Sequence, residues 1–127
     1  MKKLLYVLLC LLLLTGCAAP AAEATYKEIS MQEAIALMEK EEGYILLDVR
    51  TPEEFHEGHI PGAINIDNNT IADAPPEQLP DRDQLILIYC RSGNRSKQAA
   101  AKLAAMGYTN VAEFGGIIDW PGDIAAG

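Results

Sequence analysis

Basic residues are scarce in this chain: 10 lysines and arginines stand against 18 aspartates and glutamates, a formal net charge of −8. Binding phosphate backbones requires a basic surface, so this balance argues against a nucleic-acid partner. Cysteines are fewer still, three in 127 residues, at positions 10, 17 and 90. Cys90 has no second cysteine near it to resolve a disulfide, which disfavours dithiol redox chemistry. His56 and His59 have metal-like spacing, but with no cysteine or third ligand beside them they do not make a metal site. Neither a metal nor a cofactor is expected. Internal repeats are absent, and the one long apolar run, residues 4–14, falls short of the ~20 residues that a membrane-crossing helix needs.

What is present begins at the N-terminus. Met1-Lys2-Lys3 is a basic segment, and Leu4 to Leu14 is an apolar stretch of the length found in secretory signals. It ends in Leu14-Thr15-Gly16-Cys17, which resembles the lipobox of bacterial lipoproteins. The resemblance implies cleavage before Cys17 and a diacylglycerol on its sulfur, with more than one acyl chain giving stable membrane anchoring. The expected organisation is a signal peptide over 1–16, a lipid-anchored tether of small residues over 17–25 and one domain over 26–127. The domain would then stand on the extracytoplasmic face of a bacterial cell envelope, and a monomer is expected. Losing Lys2 and Lys3 leaves 8 basic against 18 acidic residues, a balance of −10. Cys10 goes with the signal and Cys17 is blocked by lipid, so Cys90 is the one free thiol. In an oxidising compartment an unpaired thiol is a liability unless it is used.

The body of the chain alternates helical and strand patterns. Ser30 with Glu33 reads as a helix start, and Met31, Ala34, Ile35 and Met38 form one face of a helix stopping at Gly43. Tyr44 to Leu47 is an apolar run suited to a strand covered on both faces. Thr51-Pro52-Glu53-Glu54 is a second capping box, with proline at the first helical position and Gly58 closing the helix. Ala63 to Ile66 is a brief strand. Residues 67–84, with Pro75, Pro76 and Pro80, read as the least ordered stretch, with at most one helical turn. Leu85 to Tyr89 is the central strand, Ser96 to Met106 a helix stopped by Gly107, Val111 to Phe114 the last strand, and Ile117 to Trp120 a turn of helix. Such alternation predicts an α/β domain with a mostly parallel sheet and helices on both faces. Reactive groups in such sheets lie beyond the carboxyl ends of the strands. Both Cys90 and Asp48-Val49-Arg50 stand there.

Cys90 ends a strand and opens the loop Arg91-Ser92-Gly93-Asn94-Arg95-Ser96, which runs into a helix. Backbone N–H groups converge at a helix N-terminus and its dipole is positive, an arrangement that lowers a thiol's pKa from about 8.5 towards roughly 3.5–7.5. A buried structural cysteine is the plain alternative; a glycine, two arginines and two serines beside the thiol argue against it.

Three segments together resemble the rhodanese domain. They are Leu47-Asp48-Val49-Arg50-Thr51-Pro52-Glu53-Glu54-Phe55 continuing to Gly58-His59-Ile60-Pro61-Gly62-Ala63-Ile64-Asn65, then Tyr89 to Ser96, then Gly115-Gly116-Ile117-Ile118-Asp119-Trp120. The resemblance implies a single domain with a five-stranded sheet, and sulfur transfer through a cysteine persulfide on Cys90. A small anionic donor such as thiosulfate gives its outer sulfur to the thiolate, and a thiophilic acceptor such as cyanide or a thiol, including a thiol-bearing protein, removes it. By position, the resemblance implies that the backbone N–H groups of Arg91, Ser92, Gly93, Asn94 and Arg95 cradle the sulfur, and that Arg91 and Arg95 hold the anionic donor or stabilise the persulfide. Related phosphatases place five residues between cysteine and arginine; here there are four. A smaller ring of N–H donors suits a single sulfur better than a tetrahedral phosphate.

Asp48 and Arg50 fit an ion pair bracing neighbouring loops better than a catalytic pair. His59 could act as a proton donor near the mouth, but a capping or packing role fits it better, because persulfide transfer needs no general base once the thiol is ionised. Ser96 is assigned to support of the loop, His56 to a solvated helix face, Trp120 to the core or its rim, and Gly115-Gly116 to a tight turn. A carrier module that delivers sulfur to a partner at the membrane is the alternative to an enzyme, and a thiolate phosphatase or redox enzyme is a third reading.

Overall fold

The computed structural model describes residues 25–127. The signal peptide, Cys17 and all of the tether except Thr25 lie outside the described residues. The elements are β1 (Lys27–Glu28), α1 (Met31–Lys40), β2 (Ile45–Asp48), α2 (Pro52–Glu57), β3 (Ile64–Asn65), a 3-10 turn at Asn68–Thr70, β4 (Ile86–Cys90), α3 (Asn94–Ala105), β5 (Val111–Gly116) and a 3-10 turn at Ile117–Asp119. The strands form one five-stranded sheet in the order β1-β5-β4-β2-β3, and every pairing is parallel. The expected α/β class and five-stranded sheet are what the structure has.

Alternation along the central strands builds the two layers. Ile86, Ile88 and Cys90 of β4 face one way, with Leu47 and Val49, onto Ala99, Ala100 and Leu103 of α3. Leu87 and Tyr89 face the other way, with Leu46, Ala112 and Phe114, onto Met31 and Ala34 of α1. Side chains of this kind each contribute roughly 1.5–3 kcal/mol when fully buried. The small alanines of α3 let it lie close to the strand that carries the thiol.

Local chemistry sets the element ends. The Ser30 hydroxyl accepts the Glu33 N–H at the start of α1, and α2 has both halves of its capping box, from Thr51 and Glu54. At the end of α3, the Tyr108 N–H bonds the Leu103 carbonyl and the Gly107 N–H bonds that of Ala104. This is the paired C-terminal motif that a left-handed residue closes, and Gly107 has φ +94°.

The structure differs from these expectations in five places. β1 was not legible: it is two exposed residues, Lys27 and Glu28, hydrogen-bonded along β5. α1 ends at Lys40, before Gly43, and α3 begins at Asn94, before Ser96. Residues 67–84 are held by packing: Ile71 and Leu79 are buried, and Tyr108 Oη donates to the Leu79 carbonyl at 2.6 Å. Gly115 and Gly116 lie in β5, whose register against β4 shifts between Ile88 and Cys90.

Candidate active site

β4 is buried along its whole length, and its last residue, Cys90, is only 1% exposed. The same alternation that sends Ile86 and Ile88 towards α3 sends the thiol beneath that helix's N-terminus. Gly93, at φ +111°, turns the chain from the loop into α3, a conformation that side-chain-bearing residues rarely take. The Gly93 N–H then donates to Cys90 Sγ at 3.0 Å, and Sγ lies 3.4 Å from Ser96 Oγ. Burial pushes the thiol up, but the Ser96 hydroxyl and the amides of Ser96, Gly93 and Ser92 outweigh it, leaving the thiol below its ordinary range. Among the described residues Cys90 is the only free cysteine.

The loop is clamped from below by β5. Cys90 pairs in register with Gly116, two residues of β5 facing one of β4 just before that point. Such a bulge re-aims the strand. Gly116 consequently passes directly under the loop, where a Cβ would overlap the Arg91 carbonyl and come within 2.5 Å of the Ser92 nitrogen. The Ile118 N–H bonds the Arg91 carbonyl at 3.3 Å, tying the following turn to the same point.

The arginines divide their tasks. Arg91 is exposed, makes no ion pair among the described residues, and lines a cavity of about 470 Å³ with Arg50, Glu54, Glu57, Ile117 and Ile118. Arg95, expected to hold the anionic donor or stabilise the persulfide, gives Nη1 and Nη2 to the two oxygens of Glu54, at 2.7 and 3.0 Å. The paired fork geometry of guanidinium and carboxylate accounts for this pairing. It braces α3 against α2 and holds the Glu54 carboxyl at about 2, well below its usual value, chiefly through the Arg95 hydrogen bond. Ser92 and Asn94 are exposed at the loop's outer edge.

Asp48 and Arg50 are a buried pair at the end of β2, 2.6 Å apart, and Arg50 Nη2 also donates to the Gly58 carbonyl at 2.6 Å. Burial works against the Arg50 charge, but the Asp48 hydrogen bond and carboxylate outweigh it and hold the guanidinium above its usual value. His59 is buried, its ring stacked on Phe55 at 3.8 Å and its Nδ1 2.9 Å from the Phe55 carbonyl. His56 is exposed on α2, and Trp120 is half-buried against the α1 layer.

Ser96 has a partner that sequence reasoning missed. Its hydroxyl is 2.6 Å from Glu113 Oε1, a carboxylate that is only 2% exposed and also accepts the Gly115 N–H at 2.7 Å. The available signal was an acid inside the apolar run Val111-Ala112-Glu113-Phe114, where an acid is buried only for a reason.

Known proteins match the same features. Residues 30–122 match the family model described as the rhodanese-like domain. The thiosulfate sulfurtransferase GlpE of Pseudomonas entomophila (strain L48) is 38% identical over 107 residues, covering 80% of this chain and 94% of the relative. The thiosulfate sulfurtransferase PspE of Escherichia coli (strain K12) is 38% identical over 73 residues, covering 58% and 70% respectively. A solved structure described as rhodanese with anions from E. coli is similar at a TM-score of 0.60 and 34% identity, covering 66% of this chain and 99% of that one. With a family model spanning most of the domain and a relative matched over nearly its full length, this chain belongs to the rhodanese-like domain family.

Proposed function

We propose that the protein is a thiosulfate sulfurtransferase that carries sulfur as a persulfide on Cys90. One observation carries the reading: a single thiol at a strand end receives the Gly93 N–H at 3.0 Å, under the N-terminus of α3. In the first half-reaction the Cys90 thiolate attacks the outer sulfur of thiosulfate. A new S–S bond forms, the donor's S–S bond breaks, and sulfite leaves with its electron pair. In the second, cyanide or a thiolate attacks the outer sulfur and the Cys90 thiolate departs, so neither half needs a redox partner. The persulfide's outer sulfur extends about 2.05 Å beyond Sγ, which brings it from the buried thiol towards the mouth of the loop. Arg91, which makes no ion pair among the described residues, supplies attraction there for a dianionic donor on an otherwise acidic body.

The test is thiocyanate formation from thiosulfate and cyanide, with intact-mass detection of one added sulfur that dithiothreitol removes. Wild type is expected to do both and Cys90→Ser neither. A folded wild type producing no thiocyanate above background overturns the enzyme reading. Ile118, 62% exposed on the cavity that Arg91 lines, favours a second use in which a protein thiol docks beside the loop and takes the sulfur. Stoichiometric labelling with negligible turnover on cyanide favours that carrier role.

The same proposal places the domain on the extracytoplasmic side of a bacterial envelope, anchored by lipid on Cys17. The support is the Leu14-Thr15-Gly16-Cys17 motif after a basic and then an apolar segment. Metabolic labelling with a radioactive fatty acid, lost in Cys17→Ala, tests it; an unlabelled wild-type chain overturns it.

A further inference from the structure

Arg50 leaves one terminal nitrogen unpaired although the rest of its guanidinium is held on two sides. Nε donates to both oxygens of Asp48, and Nη2 donates at 2.6 Å to Asp48 Oδ2 and at 2.6 Å to the Gly58 carbonyl. Nη1 has no partner among the described residues. No sealed side-chain nitrogen or oxygen there lacks a partner, so Nη1 is open to solvent. Arg50 is only 6% exposed and lines the cavity of about 470 Å³ beside the loop, so the unpaired donor opens into that cavity. The bonds on the other two nitrogens hold the guanidinium plane still, which makes Nη1 a preorganised donor to an anion.

The cavity's walls carry both signs of charge. Arg91 adds a second guanidinium without an ion pair among the described residues. Glu54 gives both its oxygens to Arg95, whereas Glu57 is exposed and makes no ion pair among the described residues. Ile117 and Ile118 supply an apolar side, and the Ile118 N–H bond to the Arg91 carbonyl at 3.3 Å fixes that side to the loop beside the thiol. A space of this size lies in the range of pockets that take organic molecules, and it is far larger than thiosulfate or cyanide fills. Two cations, one unpaired carboxylate and an apolar wall are complementary to a short aliphatic chain bearing a carboxylate and an ammonium group.

We propose that this cavity is the acceptor subsite and selects a zwitterionic amino-acid thiol, with Arg50 Nη1 and Arg91 holding its carboxylate and Glu57 its ammonium group. Sulfite leaves before the acceptor enters, so Arg91 serves the donor first and the acceptor second. The acceptor gives its thiol proton to solvent, and its thiolate attacks the outer sulfur of the Cys90 persulfide. An S–S bond to the acceptor forms, the bond between that sulfur and Sγ breaks, and Cys90 leaves as the thiolate. The acceptor departs as a persulfide, and no oxidant or reductant is consumed. The inference rests on the Cys90 persulfide, but its test starts from the loaded persulfide, so the two fail separately.

In the experiment the full-length chain is loaded with thiosulfate, freed of donor by gel filtration and mixed with a thiol. Loss of the added sulfur from Cys90 is followed by mass spectrometry. The thiols are cysteine, cysteamine without the carboxylate, N-acetylcysteine without the ammonium group, and mercaptoethanol without either. Dividing a variant's rate constant by that of wild type on the same thiol cancels the thiol's intrinsic reactivity. Arg50→Lys keeps a cation for Asp48 but has no second fork nitrogen. It is expected to slow cysteine and N-acetylcysteine about 10-fold more than cysteamine and mercaptoethanol. Glu57→Gln is expected to slow cysteine and cysteamine about 2- to 5-fold more than the other two, and it serves if Arg50→Lys fails to fold. Equal slowing of all the thiols in either variant overturns the subsite. So does an Arg50→Lys effect confined to the thiosulfate concentration needed for loading, which would put the donor's sulfonate on Nη1. A folded wild type that thiosulfate does not load overturns the persulfide reading itself and takes the subsite with it.

Discussion

A single methyl group at Gly116 should disable the site while leaving the protein folded. The backbone of Gly116 has φ −142°, an extended conformation open to any residue, so alanine there meets no intrinsic strain. The obstacle is the loop above it. The new Cβ would overlap the Arg91 carbonyl and sit 2.5 Å from the Ser92 nitrogen, whereas ordinary contact starts near 3.4 Å. Clearing Ser92 alone moves that nitrogen by about 0.9 Å, and the Arg91 carbonyl has to move further. The displaced residues are those whose amides lie over Cys90, and misplacement of reacting groups by about 1 Å can cost on the order of 100-fold in rate. The stability loss should be modest, about 1–3 kcal/mol for one overpacked methyl. Gly107→Ala is the control: at φ +94° it meets no neighbour within 4 Å, and it lies at the far end of α3 from the thiol. It should cost about 1 kcal/mol through backbone strain and leave turnover near wild type. The assay is thiosulfate–cyanide turnover beside urea denaturation for both variants. Wild-type turnover by folded Gly116→Ala refutes the claim that β5 fixes the loop.

Asp48→Ala leaves the buried Arg50 guanidinium without its carboxylate and should cost about 3–5 kcal/mol in urea denaturation, far more than a surface ion pair. Glu54 is held at about 2 against an ordinary 4.5, so its contribution is fully present above pH 4.5 and is lost as pH falls towards 2. Stability measured down this window should fall for wild type and stay flatter for Glu54→Gln. Arg91→Ala should raise KM for thiosulfate about 10-fold with a smaller change in kcat, since the exposed cation attracts the donor without touching the thiol. An unchanged KM would remove Arg91 from donor binding.

How far the sequence carried the fold depends on where each signal is stored. β2 and β4 are apolar runs flanked by turns, and α2 has both halves of a capping box within four residues, so each element announces itself locally. β1 could not be read, because two exposed polar residues at a sheet edge have no periodicity to detect. Ile71 and Leu79 looked like loop residues because prolines surround them; only the fold shows them packed in the α3 layer. Cys90 was legible because strand, loop and helix N-terminus are contiguous in the chain. The roles of Arg95 and Glu113 were not, because Glu54 and Ser96 lie 41 and 17 residues away from them. The same separation hid Gly116, which reads as a turn residue and proves to be the floor beneath the loop.

These long-range contacts bear on the choice between sulfur transfer and phosphate chemistry at the same thiolate. A phosphate nest needs several amides and a free guanidinium aimed at three equatorial oxygens. Here the Gly93 amide is already committed to Sγ, and the arginine in the position that could clamp an oxyanion gives both terminal nitrogens to Glu54. Releasing Arg95 for phosphate would break a two-bond pair and loosen α3 from α2, on which the loop geometry depends. A sulfane sulfur makes no such demand, because it arrives as one atom, bonds directly to Sγ and needs only the amides already gathered there. Arg91, outside that ring and free among the described residues, is then sufficient to attract the donor's anionic end. The clamp that holds Arg95 on Glu54 therefore disfavours phosphate and leaves the transfer of a single sulfur unimpeded.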